Sequence, residues 1–207
     1  MIGNKYSLIS KECEMSRNAS QGEFDSEAIV KAVREIIRAI GEDPDREGLK
    51  GTPERVMRAY RELFSGLGDD PARHLEAVFE EKYDELVVLR DIPFHSMCEH
   101  HLLPFMGRAH VAYLPDGMVV GISKLARVID SFAHRPQLQE RLTNQIADII
   151  MEKLKPKGVA VVLEAEHTCM IIRGVKKPGS VMITSALRGI CKTNPSTRSE
   201  VMSLLRG

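Results

Sequence analysis

The chain has 207 residues, of which 43% are hydrophobic and 28% are charged, and its 29 basic and 29 acidic side chains cancel. This composition is typical of a soluble globular protein and excludes whole-chain disorder, collagen-like repeats and coiled-coil rods. The balanced charge argues against duplex nucleic acid as the partner, because phosphate-rich polymers usually bind a strongly basic surface. No apolar run approaches the ~18 residues of a membrane helix. The N-terminus lacks the hydrophobic segment of a secretory signal, so we expect a cytoplasmic protein.

The first part of the chain is predicted to be an arm followed by two helices. Residues 1–24 show no periodicity and are rich in Ser, Asn, Glu and Lys, which predicts a mobile arm. Apolar residues at helical spacing then predict amphipathic helices over about 29–40 and 52–66. The signals over 69–84 are mixed. We therefore expect a helical part over about 25–84.

From about residue 85 the pattern changes to short β-type runs separated by turns. The predicted strands cover 86–89, a run ending near His95, 108–114, 118–121, 159–165, 167–172 and 180–186. The predicted helices cover about 123–132 with Ser123 as N-cap, 138–154, and 199–205. Strands joined by tight turns or by a helical pair indicate an α+β fold with an antiparallel sheet. We expect one domain over 25–207, with its catalytic part over about 85–207.

The densest cluster of reactive side chains is the tetrapeptide CEHH at 98–101. A Cys-x-x-His turn can place Cys98 and His101 on one zinc ion. A third ligand must come from elsewhere, and Cys169 lies in the one other segment where Cys and His occur together. These three residues would form a Cys₂His set with an open fourth position, which is typical of a catalytic zinc. His100 and His167 would then remain as acid–base groups.

Other interpretations of these residues stay open at the level of spacing. A single Cys-x-x-His is a weak signal, and a buried cysteine is often a small hydrophobic residue. A structural zinc would need a fourth ligand, for which Cys191 is the spare cysteine. Three further histidines are expected to be surface or packing residues, namely His74, His110 and His134.

Basic residues near predicted element ends form a second feature. Lys124 and Arg127 share a helix face behind Ser123, and Arg173 follows Cys169 closely in sequence. A helix N-terminus with two basic side chains could bind a phosphate chain, although a solvated surface explains the same pattern. Glu140 by pattern alone is an ordinary solvated helix acid. No phosphate-binding loop of the Walker type and no Gly-x-Gly-x-x-Gly run occurs in the sequence.

Four motifs in a fixed order resemble the GTP cyclohydrolase I family. They are SMCEHH at 96–101, GISKLAR at 121–127, RPQLQERLT at 135–143 and EHTCM at 166–170. The resemblance extends upstream through GTPERV at 51–56 and FSGL at 64–67, and so covers the chain from about residue 25 onward. Two departures are a less threonine-rich stretch over 183–189 and an N-terminal arm without a counterpart.

This resemblance implies a tunnelling fold (T-fold), in which subunits join their antiparallel sheets into barrels within a toroidal homodecamer. Active sites are then expected at subunit boundaries. The implied reaction converts GTP and water into 7,8-dihydroneopterin triphosphate and formate, the first step of tetrahydrofolate or pterin biosynthesis. Two alternatives are a T-fold reductase of a deazaguanine nitrile, which uses NADPH, and a non-catalytic zinc- and nucleotide-binding oligomer.

The resemblance also implies roles for individual residues near the metal. Cys98, His101 and Cys169 correspond to the zinc ligands, and zinc would activate the water that attacks C8 of guanine. His100 corresponds to a histidine that handles protons at the purine ring. His167 corresponds to one beside the metal and the triphosphate.

Substrate-binding roles follow from the same resemblance. Glu140 corresponds to the acid that anchors guanine, since a carboxylate can accept from both N1–H and the exocyclic amine, and the adjacent Gln139 belongs to the same substrate-binding motif. Ser123 corresponds to a catalytic hydroxyl near the ribose, where the rearrangement and ring closure occur. The predicted triphosphate-binding residues are Lys124, Arg127 and Arg173, with Arg55 reaching in from a neighbouring subunit.

Overall fold

The structure is a computed structural model that describes residues 23–206. Nearly all of the arm predicted over 1–24 therefore lies outside the described residues. Internal contacts divide the chain into two compact units, the first ending at Met57 and the second beginning at Arg58. Among the described residues, no helix is both long and apolar enough to cross a membrane.

The first unit contains the first predicted helix and the start of the second. Helix α1 covers Ser26–Ala39, and the side chain of Asp25 caps it by accepting a hydrogen bond of 2.9 Å from the backbone N–H of Ala28. Helix α2 covers Thr52–Leu63 and continues across the boundary into the second unit. Pro53 suits the start of α2, because its missing N–H would have no partner in the first turn.

The second unit holds the sheet and the remaining helices. After the short 3₁₀ turns Ser65–Gly68 and Pro71–Leu75, its elements are β1 Val78–Glu80, β2 Val87–Cys98, β3 Pro104–Leu114, β4 Met118–Val120, α3 Ile122–Ala133, β5 Pro136–Gln137, α4 Gln139–Leu154, β6 Gly158–His167, α5 Thr168–Ile171, β7 Val181–Gly189, α6 Ile190–Thr193 and α7 Pro195–Arg206.

The main sheet has the strand order β5-β2-β3-β6-β7, and β2, β3, β6 and β7 pair antiparallel. The two-residue strand β5 pairs in parallel with the end of β2, and β1 and β4 form a separate antiparallel pair. The chain order is thus two strands, two helices and two strands. This arrangement confirms the α+β class with an antiparallel sheet and paired helices.

The two faces of the sheet are covered by different helices. Helices α3 and α4 pack their apolar residues, such as Ile129 and Ile146, on the face that carries Val111 and Leu163. Side chains alternate along a strand, so intervening residues point to the other face. There α7 packs Val201 and other apolar residues against the sheet.

Two local predictions are wrong. Residues 167–172 do not form a strand: β6 ends at His167, and the chain turns into the short helix α5. The ladder ends there because β3 begins at Pro104, whose carbonyl accepts a hydrogen bond of 2.6 Å from the Thr168 hydroxyl instead. Ser123 is not the N-cap of α3. Gly121 occupies that position, and Ser123 lies exposed within the first turn.

Candidate active site

The turn between β2 and β3 folds back on Cys98. The carbonyl of Cys98 accepts hydrogen bonds from the backbone N–H groups of His101 (3.3 Å) and Leu102 (2.9 Å), and its own N–H donates to Leu103 (2.9 Å). Leu102 adopts a left-handed conformation with φ of 51°. This tight turn places the His101 Nδ1 atom 3.9 Å from the Cys98 sulfur.

Strand pairing brings Cys169 to the same edge of the sheet. Near its end, β2 pairs Ser96 with Phe105 of β3, and the last pair of β3 with β6 joins the same Phe105 to His167. The ends of β2 and β6 therefore lie on either side of the start of β3. Helix α5 begins immediately after β6 and carries Cys169 toward Cys98.

The donor atoms of Cys98, His101 and Cys169 lie within 4.8 Å of one another, and they form the one such group of three found in residues 23–206. Tetrahedral zinc with bonds of about 2.3 Å to sulfur would hold two donor atoms about 3.8 Å apart. The group therefore fits a zinc ion after a contraction of about 1 Å. Cys98 is buried, Cys169 is partly buried and His101 is exposed, which leaves one side of the group open to solvent.

A structural zinc with Cys191 as fourth ligand does not fit the fold. Cys191 is fully buried in the core under α7, whereas Cys98 belongs to the core on the opposite face of the sheet. All three described cysteines are free thiols. Burial, and then the nearby Cys98 sulfur, raise the pKa of the Cys169 thiol. A cation between the two sulfurs would oppose this effect by stabilising the thiolates.

An ion pair links the turn that holds Cys98 and His101 to the first turn of α4. The guanidinium of Arg141 donates to both carboxylate oxygens of Glu99, at 2.5 and 3.1 Å. This hydrogen bonding lowers the pKa of Glu99, which therefore stays ionised. Sequence reasoning missed the pair, because the two residues lie 42 positions apart and the register alone reveals their contact. The neighbouring His100 is exposed, with its ring centroid 6.1 Å from that of His101.

His167 is held between an aromatic ring and a buried amide. Its ring stacks on Phe105 with centroids 4.5 Å apart and planes 4° apart. Its Nε2 atom lies 2.8 Å from Oε1 of Gln139. Burial lowers the pKa of His167, while the charge of Glu140 acts in the opposite direction. Glu140 itself is exposed in the first turn of α4.

The basic residues divide between two regions of the second unit. Arg173 is exposed shortly after α5, where its charge acts on the Cys169 thiol. Ser123, Lys124 and Arg127 instead lie in the first half of α3. Arg127 borders a cavity of about 250 Å³ whose other walls include Asp69, His74, Asp130 and His134.

Helix α3 runs toward the metal group, so its first residues lie far from it. Its last residue, Ala133, accepts a hydrogen bond of 2.6 Å from Ser96, which lies two positions before Cys98. Twelve helical residues span about 18 Å. Ser123 and Lys124 are therefore about 14 Å along the helix axis from Ala133, the residue that contacts Ser96. Arg55 lies in the first unit.

Comparison with known proteins places this site in a family. The family model described as GTP cyclohydrolase I matches residues 29–206. The chain belongs to the GTP cyclohydrolase I family. It is 65% identical over 182 residues to the GTP cyclohydrolase 1 of Carboxydothermus hydrogenoformans, covering 87% of this chain and 95% of that protein. It is 62% identical over 185 residues to the protein of the same name from Pelotomaculum thermopropionicum, covering 89% and 98%.

Membership of the GTP cyclohydrolase I family identifies the chain as an enzyme and confirms the resemblance found in the motifs. The sheet with its intervening helix pair is the T-fold arrangement that this resemblance implied. Among solved structures, the archaeosine synthase QueF-Like in the apo form is 22% identical, with a TM-score of 0.44, and the match covers 52% of this chain and 97% of that chain.

Proposed function

We propose that the chain hydrolyses GTP at C8 of guanine, giving formate and, after rearrangement of the ribose, 7,8-dihydroneopterin triphosphate. This is the first step of tetrahydrofolate or pterin biosynthesis. The observation that carries the proposal is the convergence of Cys98, His101 and Cys169 at one edge of the sheet, with an open side. Membership of the GTP cyclohydrolase I family supports the same reaction.

Zinc is the proposed cofactor, because two thiolates and one imidazole suit this borderline-soft ion. When bound, zinc lowers the pKa of a coordinated water toward ~7 and so provides the nucleophile. Because the ligand thiols must stay reduced to hold the ion, a cytoplasmic location follows as part of the proposal.

The substrate is proposed to be held by residues around the metal group. Glu140 lies at the exposed start of α4, near enough to His167 for its charge to affect that imidazole. A carboxylate there can accept two hydrogen bonds from the N–H edge of guanine, which adenine cannot offer. Exposed His100, next to the ligand His101, is the proposed proton carrier at the purine ring. Arg173 would contact the triphosphate.

A homo-oligomer, proposed to be a decamer, would complete the site. Ser123 and Lys124 lie in the first turn of α3, whereas its last residue Ala133 is bonded to Ser96, two positions before Cys98. We therefore propose that Ser123, Lys124 and Arg127 contact a GTP molecule held at the metal group of a second copy of the chain. Arg55 is proposed to approach from a neighbouring subunit in the same way.

The test is incubation of zinc-loaded protein with GTP, followed by measurement of formate and of the fluorescent pterin formed on oxidation. Formate release without NADPH would support the cyclohydrolase and exclude the nitrile reductase. Zinc binding and oligomers without turnover would instead support a non-catalytic nucleotide-binding protein. Mixing a Lys124→Ala variant with a Cys98→Ser variant should restore part of the activity, because mixed oligomers can assemble an intact site from two damaged chains.

A further inference from the structure

Gln139 is a buried amide whose hydrogen bonds are all made inside the chain. It is 1% exposed. Its Nε2 atom donates to the backbone carbonyls of Leu163 (3.1 Å) and Met182 (2.9 Å), and lies 3.1 Å from the Thr184 hydroxyl. Its Oε1 atom faces His167. A side chain with its amide so engaged has no free polar atom for substrate.

The surroundings fix which way this amide points. Backbone carbonyl oxygens can only accept hydrogen bonds, so the NH₂ group must face Leu163 and Met182. The reverse orientation would set the Gln139 oxygen against two carbonyl oxygens and deprive both of the amide donor. Such buried unpaired acceptors cost about 1–3 kcal/mol each.

Neighbouring hydroxyls agree with this orientation. The Thr143 hydroxyl donates to the backbone carbonyl of Gln139 at 2.7 Å and lies 2.6 Å from the Thr184 hydroxyl. The Thr143 hydroxyl has one proton, which it donates to that carbonyl. The Thr184 hydroxyl must therefore donate to the Thr143 oxygen. Thr184 is then left to accept from the Gln139 amide. The two amide protons of Gln139 thus face three acceptors, namely the two backbone carbonyls and the Thr184 hydroxyl, so one of these hydrogen bonds is shared.

The orientation of the Gln139 amide determines the tautomer of His167. A neutral imidazole carries one proton, either on Nδ1 or on Nε2, and the partner of one nitrogen selects the tautomer. Because Oε1 of Gln139 can only accept, the proton must lie on Nε2 of His167. The ring cannot rotate freely to escape this contact, since it stacks flat against the fully buried Phe105.

We propose that Gln139 is a positioning residue that fixes the Nε2–H tautomer of His167 and so leaves Nδ1 as its free acceptor nitrogen. The inference rests on the proposed function, since it assigns a working atom to a histidine of that site. It replaces the substrate contact expected for Gln139 from the sequence with an action through His167.

The decisive measurement is solid-state ¹⁵N NMR of the zinc-loaded, full-length protein labelled at histidine. The His167 signals are assigned from a His167→Asn variant. We expect wild-type His167 to show a protonated Nε2 and an unprotonated Nδ1. The opposite tautomer in the wild-type protein would overturn the inference whatever the activity. Absence of formate production together with the expected tautomer would overturn the proposed function alone.

Variants at Gln139 test the link to catalysis. Gln139→Met keeps the volume but removes the acceptor, and we expect a mixed tautomer and a kcat reduced by about 10- to 100-fold with little change in KM. If Gln139→Met does not fold, the wild-type spectrum still decides the tautomer.

Gln137 provides the matched control. It is also buried, at 2% exposed, and its amide donates to the carbonyl of Phe132 and to Gln145, both at 2.8 Å. Gln137→Met removes two buried hydrogen bonds without touching His167, and because Gln137 pairs with Cys98, its kcat is compared per bound zinc. We expect the wild-type tautomer and kcat in this variant, at equal zinc content. An equal loss of kcat in both methionine variants, or an unchanged kcat and tautomer in Gln139→Met, would refute the positioning role.

Discussion

Adding one methyl group at Gly107 should force apart the strands that assemble the metal group. A Cβ atom at this position would lie 1.8 Å from the carbonyl oxygen of Glu164 and 2.7 Å from Cα of Ala165. Ordinary van der Waals contact begins at 3.4 Å, so strand β6 would have to move away from Gly107 by about 1.6 Å. That is a third of the ~4.8 Å between neighbouring strands, which is enough to break their hydrogen bonds.

The cost follows from what lies next to Gly107. The last pairs of β3 with β6 join Gly107 to Ala165 and Phe105 to His167. Losing two ladder hydrogen bonds at about 1 kcal/mol each, and exposing the buried Phe105 ring at about 2 kcal/mol, gives on the order of 4 kcal/mol. The same movement carries α5 and Cys169 away from Cys98. Gly107→Ala should therefore lower both stability and zinc content.

The assay is urea unfolding followed by circular dichroism, with zinc measured per chain in the purified protein. Gly68→Ala is the control, because a Cβ atom there meets nothing within 4 Å. This control should stay within about 0.5 kcal/mol of wild type. If Gly107→Ala unfolds within about 1 kcal/mol of wild type and keeps its zinc, the argument from strand register is refuted.

Three further predictions concern the metal, the base and pH. Cys98→Ser and Cys169→Ser should each lose bound zinc while Cys191→Ser keeps it, and zinc retained in the first two variants would contradict the ligand set. Glu140→Gln should weaken GTP binding by about 1–3 kcal/mol, measured as KM, and unchanged kinetics would remove Glu140 from the guanine site. Burial lowers the pKa of His134, so the folded protein resists protonation there and stability should fall as the pH drops below ~6.5. The loss in urea midpoint between about pH 7.5 and about pH 5.5 should be smaller in His134→Gln, and an equal loss would be inconsistent with this cause.

Local spacing was sufficient to predict one part of the metal group. The Cys-x-x-His segment predicts a turn with Cys98 and His101 on the same side, and the structure places their donor atoms 3.9 Å apart. Helix spacing likewise predicted the apolar faces of α3 and α4, because periodicity reports directly on burial. These features depend on residues within a few positions of each other.

The contact between Cys98 and Cys169 could not be derived in this way. It depends on the register of three strands, and the start of β3 over Pro104–Gly107 gives no alternating pattern from which to read it. The third ligand was assigned from the family resemblance. The Glu99–Arg141 pair was missed for the same reason, since both residues look like solvated charges until the strand end and the helix start are placed side by side.

The direction of α3 shows how far apart two of the sequence motifs lie, which their spacing in the sequence does not reveal. Residues 121–127 and residues 96–101 are close in sequence, yet the 12-residue helix separates Ser123 from the metal ligands by most of its length. In one chain, Cys98 and its neighbours lie near the C-terminal end of α3, and Ser123 and Lys124 lie at its N-terminal end. If both regions contact one GTP molecule, the proposed oligomer would supply them from two copies of the chain. Assembly would then raise activity, because Ser123 and Lys124 of an isolated subunit lie at the other end of α3 from Ser96.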